Sequence, residues 1–410
     1  MAEQPLSDVR VLDLTWHIAG PACAKFFADY GADVIKIERP DGGDPARNLG
    51  PFYQDDPHPE KSGLFLFLNT NKRSITLNLK SSTGKKLFKE LVKDVDILVE
   101  NFSPHVMPGL GLDYKTLEKI NPKLVMTSIS NFGQTGPYRD FKASEAIIYG
   151  MGGAMCSTGV GDCEPVKKGM NVIQHQGGYM AATATMMAFY GARVQGIGQH
   201  VDVSLMETQM AAIDRRMSEL LAYEYNKELT PRMDIAGLLQ YPYGIFPCKD
   251  GYVDVAGGFM FLNRIERVLK MALMETYGGA NQFDESRREE FFGTIWYPWL
   301  MERTRKEIVE VCQEGRVLSA PINTTEDLVA DPQFRERGFW TEAEHPVVGK
   351  LTYPGRPAAC KELPWKIRRP APLLGQHNEE VYTSLGYSKQ DMVKLRRGDY
   401  LRWLSYHWKA

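Results

Sequence analysis

The chain has 410 residues, with 49 lysines and arginines against 51 aspartates and glutamates, a formal net charge of −2. So near a balance argues against nucleic acid or an anionic membrane surface as the main partner and leaves small molecules and other protein chains. The length suffices for a sizeable core shared by two or three domains.

The opening MAEQPLSDVR lacks a basic n-region followed by an apolar h-region. No uninterrupted apolar run approaches the roughly 18 residues of a membrane span, so a soluble cytoplasmic protein is expected. Six cysteines, Cys23, Cys156, Cys163, Cys248, Cys312 and Cys360, form no CxxC pair and no cluster with histidine. They read as reduced, mostly buried thiols, and neither a disulfide framework nor a metal site is expected.

In chain order, VRVLDLT (9–15) is a short strand. Gly20-Pro21 then opens a helix through ACAKFFADYG that stops at Gly31, and ADVIKIE is the next strand. RSITLNL, the helix TGKKLFKELVKD and the strand VDILVEN form a further βαβ unit, followed by a helix YKTLEKINP and a strand KLVMTSIS. Strands separated by single helices imply a parallel sheet covered on both faces, hence an α/β, doubly wound, Rossmann-like large domain. The run Gly177–Tyr190, rich in small residues, reads as a buried helix with the polar triplet Gln174, His175, Gln176 at its mouth. The helical pattern continues to about Asn226, broken at GARVQGIGQH and by a strand-like VDVSLM. A hairpin around Lys249-Asp250-Gly251 marks a composition change. The expected division is 1–228 for the first part of the large domain, 229–330 for a smaller α+β domain and 331–410 for a return segment. In the last, LPWKIRRPAPLLG is extended and HNEEVYTSLG is a short helix.

The first strand-to-helix turn reads TWHIAGPA and lacks the GxGxxG fingerprint of dinucleotide binding. His17 nevertheless falls at the carboxyl edge where such sheets place ligands. Arg39 in IERP and Lys72 and Arg73 in NTNKRS stand beside strands, a suitable arrangement for phosphate or carboxylate groups, and ENFSP (100–104) lies at another strand end. Each has a plain structural reading as a solvated or packing residue; their recurrence at successive strand ends is what favours a site. GxSxG, HExxH and a P-loop are missing, and His175 has no orienting acid in the sequence.

Together, VLDLTWHIAGPACAKFFADYGADVIKIERP, NTNKRSITLNL, DILVENFSPHVMPGLGLDY, SISNFGQTGPY, GQHVDVSLMET, DPQFRERGF and RPAPLLGQHNEEVYTSLGYS resemble the class III CoA-transferases, the CaiB/BaiF family, over nearly the whole chain. The resemblance implies a Rossmann-like large domain, a small domain and two interlocked subunits. Its substrates would be an acyl-CoA and a carboxylic acid, with coenzyme A as the carried group and no metal. It implies that His17, Arg39, Asn69, Asn71, Lys72, Asn101, Phe102, Ser103, Lys142 and Glu145 line the CoA site. It also implies that Gly109 replaces an arginine contact, a loss of about 1.5–3 kcal/mol for a charged hydrogen bond.

Family catalysis uses one aspartate as acyl carrier, and the resemblance puts Gln174 at its position. A carboxamide is a poor nucleophile, so the expected catalytic set within this chain is empty, with His175 a remote substitute. The chain then resembles a non-catalytic subunit of a heteromer, like the succinyl-CoA:benzylsuccinate CoA-transferases of anaerobic toluene breakdown, intertwined with a homologous subunit that carries the aspartate. The competing readings are an acyl-CoA racemase-like enzyme using His175, a CoA-binding scaffold without turnover, and a homodimer using another carboxylate such as Glu145 or Asp162.

Overall fold

The computed structural model describes residues 4–212, 216–229, 232, 242–257, 262–356, 358–359, 365–398 and 400–401. Cys360 and parts of the expected small domain and return segment lie outside them. The chain forms two compact units: Met1–Cys156 with Lys167–Leu229 and Arg337–Ala410, and Ser157–Val166 with Thr230–Glu336. Residues 157–166, which the sequence reading assigns to the large domain, group with the smaller unit.

The first unit is built on six parallel strands: β1 (Arg10–Asp13), β2 (Asp33–Glu38), β3 (Lys72–Thr76), β4 (Ile97–Glu100), β5 (Val125–Ser130) and β6 (Gln199–Ser204). Their order is β3-β2-β1-β4-β5-β6. Every residue of β4 and β5 is buried, as expected of strands covered on both faces. Side chains alternate between two cores. Val11, Val34 and Val125 meet Phe27 of helix α1 (Ala19–Asp29) and Ala181 of a long helix. Leu12, Ile35 and Leu98 meet Phe88 of α2 (Ser82–Val92) and Tyr382. Ser81 caps α2 by accepting the Gly84 N–H at 2.9 Å.

Some elements differ from their sequence reading. YKTLEKINP forms only a single helical turn, Tyr114–Leu117, and VDVSLM leaves the sheet after Ser204, with helix α5 (Leu205–Ala212) starting at Leu205. The small-residue helix, α4 (Val172–Gln195), begins five residues before Gly177 and takes the polar triplet into its first turns. It is buried on one face only. Met187 and Tyr190 are 65% and 70% exposed, with Met180 and Val194 along the same side. Cys156 and Cys163 are exposed, whereas Cys23, Cys248 and Cys312 are buried.

The smaller unit holds an antiparallel sheet of Tyr243–Cys248, Gly251–Ala256 and Leu318–Pro321. Its hairpin turn falls at Lys249-Asp250, and Asp250 accepts the Arg305 N–H at 2.7 Å. Its core gathers Phe246, Val253, Ile265, Phe291, Trp296 and Ile308. No helix among the described residues is long and apolar enough to cross a membrane.

The return segment rejoins the first unit at β3. His377 donates its N–H to the Ser74 carbonyl at 2.9 Å, Asn378 Oδ1 accepts the Thr76 N–H at 2.8 Å, and the Tyr382 hydroxyl donates to the Thr76 carbonyl at 3.0 Å. Beneath this junction Arg47, with no exposure, donates Nε and Nη2 to Glu38 at 2.7 and 2.9 Å, Nη1 to Glu60 at 2.6 Å, and Nη2 to the Pro372 carbonyl at 3.0 Å. Its guanidinium lies 3.7 Å from the centre of the Phe65 ring. Burial alone would raise the Glu38 carboxyl, but Arg47 holds it down to about 2. Replacing Arg47 by methionine strands two buried carboxylates, and we expect a loss of about 3–5 kcal/mol in urea denaturation. A change under about 1 kcal/mol would show that the pair is not structurally important.

Candidate functional site

Strands β1 and β4 are neighbours whose onward connections run to opposite sides of the sheet, so a crevice opens beyond their carboxyl ends. Ligands of doubly wound sheets bind at such a switch point. A cleft of about 1290 Å³ lies here, floored by Leu14, Ile37 and Leu77. His17, Arg39, Asn101, Phe102 and Ser103 all line it.

Local chemistry explains why these loops hold their shape. The Asn101 carboxamide clamps Trp16 from both sides, accepting its N–H and donating to its carbonyl, each at 2.8 Å. The Phe102 ring meets the Trp16 ring edge-on at 5.0 Å, and the Arg39 guanidinium stacks 4.6 Å above it. Arg39 also donates Nε and Nη2 to the Gly43 carbonyl at 3.3 Å. His17 is exposed and has φ +64°, an unusual conformation for a residue with a side chain. Its N–H is anchored on Asp44 Oδ1 at 3.0 Å.

Asn69, Asn71 and Lys72 are buried below the cleft, with their polar atoms engaged inside the protein. Lys72 Nζ donates to Asp13 Oδ2 at 2.8 Å and to the Pro21 carbonyl and Asn69 Oδ1 at 3.0 Å. Asn71 donates to Asp29 Oδ1 at 2.8 Å and accepts the N–H groups of Arg368 and Arg369. Burial pushes the Lys72 ammonium down to about 8 against the pull of Asp13, and Lys36 and Lys72 together draw Asp13 below its usual range despite its burial. Lys36 Nζ reaches Asp44 Oδ2 at 2.9 Å and donates to the Thr15 carbonyl at 2.8 Å. These charges thereby support the 14–18 loop and the Asp44 anchor under His17.

A second cluster forms at the start of α4. Its orphan N–H groups need acceptors, and its N-cap, Asn171, makes no side-chain cap. Glu145, the first residue of helix α3 (Glu145–Met151), supplies them: Oε1 accepts the Ile173 N–H at 2.8 Å and Oε2 the Gln174 N–H at 3.3 Å. An anion at this end also suits the helix dipole. Lys142 is exposed three residues earlier. One turn beyond Gln174, Gly178 lets α4 press against the first turn of α1, since a Cβ there would stand 2.5 Å from the Ala19 carbonyl oxygen. Gln174 therefore stands one helical turn before the contact of α4 with the start of α1. His175 is half-buried, and burial lowers its imidazole pKa. Asp162 is exposed and belongs to the other unit. Among the described residues, no group of three or more His, Cys, Asp or Glu is arranged to hold a metal.

The family model for CoA-transferase family III matches residues 6–378. The chain belongs to CoA-transferase family III. It is 33% identical over 391 residues to the succinate–glutarate CoA-transferase of Agrobacterium fabrum, covering 93% of this chain and 96% of that one. It is 30% identical over 415 residues to the succinyl-CoA:(R)-benzylsuccinate CoA-transferase subunit BbsE of Thauera aromatica, covering 96% and 97%. The crystal structure of a CaiB/BaiF family protein from Brucella suis shares the fold with a TM-score of 0.79 at 29% identity, covering 94% of this chain and all of that one. CoA-transferases act on CoA thioesters.

Sequence reasoning missed several residues of the cleft. Trp16, Lys80 and Arg396 line it, and Asp44 holds its edge. Lys80 carried a usable signal, as a basic residue just past β3; Asp44 carried none. Glu100, the first residue of the ENFSP stretch, ends β4. It is buried, accepts the Phe102 N–H at 2.8 Å, and has its carboxyl raised by burial to about 7 despite bonds from Ser128 and Phe102. A raised carboxyl contributes stability that is present below its unfolded value of 4.5 and lost as the pH climbs through about 7. Glu100→Gln should therefore flatten the stability–pH curve across that window and exceed wild type by up to about 3 kcal/mol near pH 8. Parallel curves for the two proteins in urea titrations would refute this.

Proposed function

We propose that this chain is the CoA-binding, non-catalytic subunit of a heteromeric CoA-transferase that moves CoA from a donor thioester such as succinyl-CoA to a carboxylic acid. The observation that carries the reading is Gln174, which by family resemblance takes the nucleophile's position in the first turns of α4. Its carboxamide cannot form the acyl anhydride and thioester that an aspartate forms. Glu145, the nearest acid in that cluster, has both oxygens engaged by the backbone N–H groups of Ile173 and Gln174, a capping role that counts against it as a displaced nucleophile. The apolar stripe of α4, with Met187 and Tyr190 foremost, supports a protein partner that covers it. The relative BbsE is by name a subunit, and benzylsuccinate is accordingly the acceptor we favour.

The decisive experiment is expression of the chain alone and together with a homologous chain that keeps the aspartate, followed by assay with succinyl-CoA and hydroxylamine trapping. The isolated chain should give no turnover and no hydroxylamine-sensitive adduct, and the mixed complex should carry its adduct on the other chain. An adduct on the isolated chain defeats the proposal.

Gly109 offers a separate check. It is exposed in the helical turn Val106–Leu110, and a Cβ there would meet nothing within 4 Å. Gly109→Arg should tighten CoA binding about tenfold or more in calorimetry, the worth of one charged hydrogen bond. Gln174→Asp alone should leave the chain short of full activity, and full activity from that single change would show that the cleft already binds CoA fully.

A further inference from the structure

The last described residues close one wall of the cleft. Helix α6 (Lys389–Arg397) ends in Lys394, Arg396 and Arg397, and the chain then crosses the end of β3, where the Tyr400 carbonyl accepts the Asn78 N–H at 3.2 Å. Leu401 is buried in the core beside Leu77. This crossing brings Arg396 and Leu401 into the lining of the cleft together with Asn78 and Lys80. Cationic groups thus gather at the β2–β3 side, with Arg39 after β2 and Lys80 and Arg396 beyond β3. Two acids also line that side: Glu38, which Arg47 neutralises, and Asp41.

The position of these cations in the sheet indicates which part of a nucleotide they would meet. In a doubly wound sheet of this strand order, the diphosphate lies over the switch point and the ribose toward the end of β2, where an arginine accommodates a ribose phosphate. Coenzyme A carries such a phosphate, on the 3′ oxygen of its adenosine. A guanidinium matches it with two parallel N–H···O bonds, which an ammonium cannot do. The alternative role for Arg396 is a charge that serves only the carboxyl end of its own helix, favoured by the helix dipole. That role involves no discrimination between ligands.

We propose that Arg396, with Lys80, binds the 3′-phosphate of coenzyme A, so that the carboxyl-terminal helix supplies a phosphate contact to the cleft. The proposal rests on the CoA-binding reading above and names the residue that confers its nucleotide specificity. The test is calorimetric titration of the full chain and its Arg396→Ala and Arg396→Lys variants with CoA and with 3′-dephospho-CoA. Wild type should prefer CoA. Arg396→Ala should lose about tenfold in affinity for CoA and little for 3′-dephospho-CoA, with Arg396→Lys in between. Equal losses for both ligands, or none for either, overturn the assignment. Wild type that binds the two ligands alike overturns it as well while leaving the CoA reading intact. Wild type that binds neither defeats the CoA reading and the assignment with it.

Discussion

Lys36, Lys72 and Arg47 stand without solvent contact beneath the carboxyl edge of the parallel sheet, and the cleft depends on how their charges are met. An unpaired buried charge is prohibitively costly, and a paired one holds only with good geometry. Asp13, Asp44, Glu38 and Glu60 provide the pairing, and each also fastens a piece of chain that shapes the site. Asp44 fixes the backbone at His17, Glu38 fixes the backbone at Asp44, and Glu60 accepts the Leu374 N–H of the return segment. The ionic layer therefore does more than stabilise the fold. It converts three loops and a distant segment into one rigid rim.

The amino end of α4 follows a different logic. A helix start pressed against α1 by Gly178 presents strongly polarised N–H groups that need an anion or acceptor. In this chain the anion that meets them is Glu145, from a neighbouring helix, while the residue at the start of α4 is the neutral Gln174. Local charge is balanced without any carboxylate on α4 itself. The helix end is thus settled structurally by a carboxylate from outside the helix.

Much of the fold was legible because buried parallel strands and their crossover helices leave apolar runs at regular intervals, as in VRVLDLT, ADVIKIE and KLVMTSIS. The ionic layer was not. Lys36 sits in the middle of ADVIKIE and Lys72 opens β3, and nothing in a period of two tells a lysine buried on a carboxylate from one that reaches solvent. For the same reason Asn69, Asn71 and Lys72 could be named as residues of the region but not given their internal partners. The start of α4 was read five residues late because its cap is Glu145, far away in sequence, whereas a capping residue just before the helix would have been visible. Arg396 and Leu401 could not be placed, since their position depends on a crossing over β3 from the other end of the chain.

That crossing has a consequence for biosynthesis. Thr76 and Asn378 are 302 residues apart, and the smaller unit is encoded between them. A nascent chain leaving the ribosome can lay down β1 to β5 early, but the flank of β3 stays uncovered until residues 377–382 have emerged. Contacts of such sequence separation form slowly and leave apolar surface open meanwhile. Termination before residues 377–382 would deprive the sheet of its seal and leave an intermediate destined for chaperones or proteases.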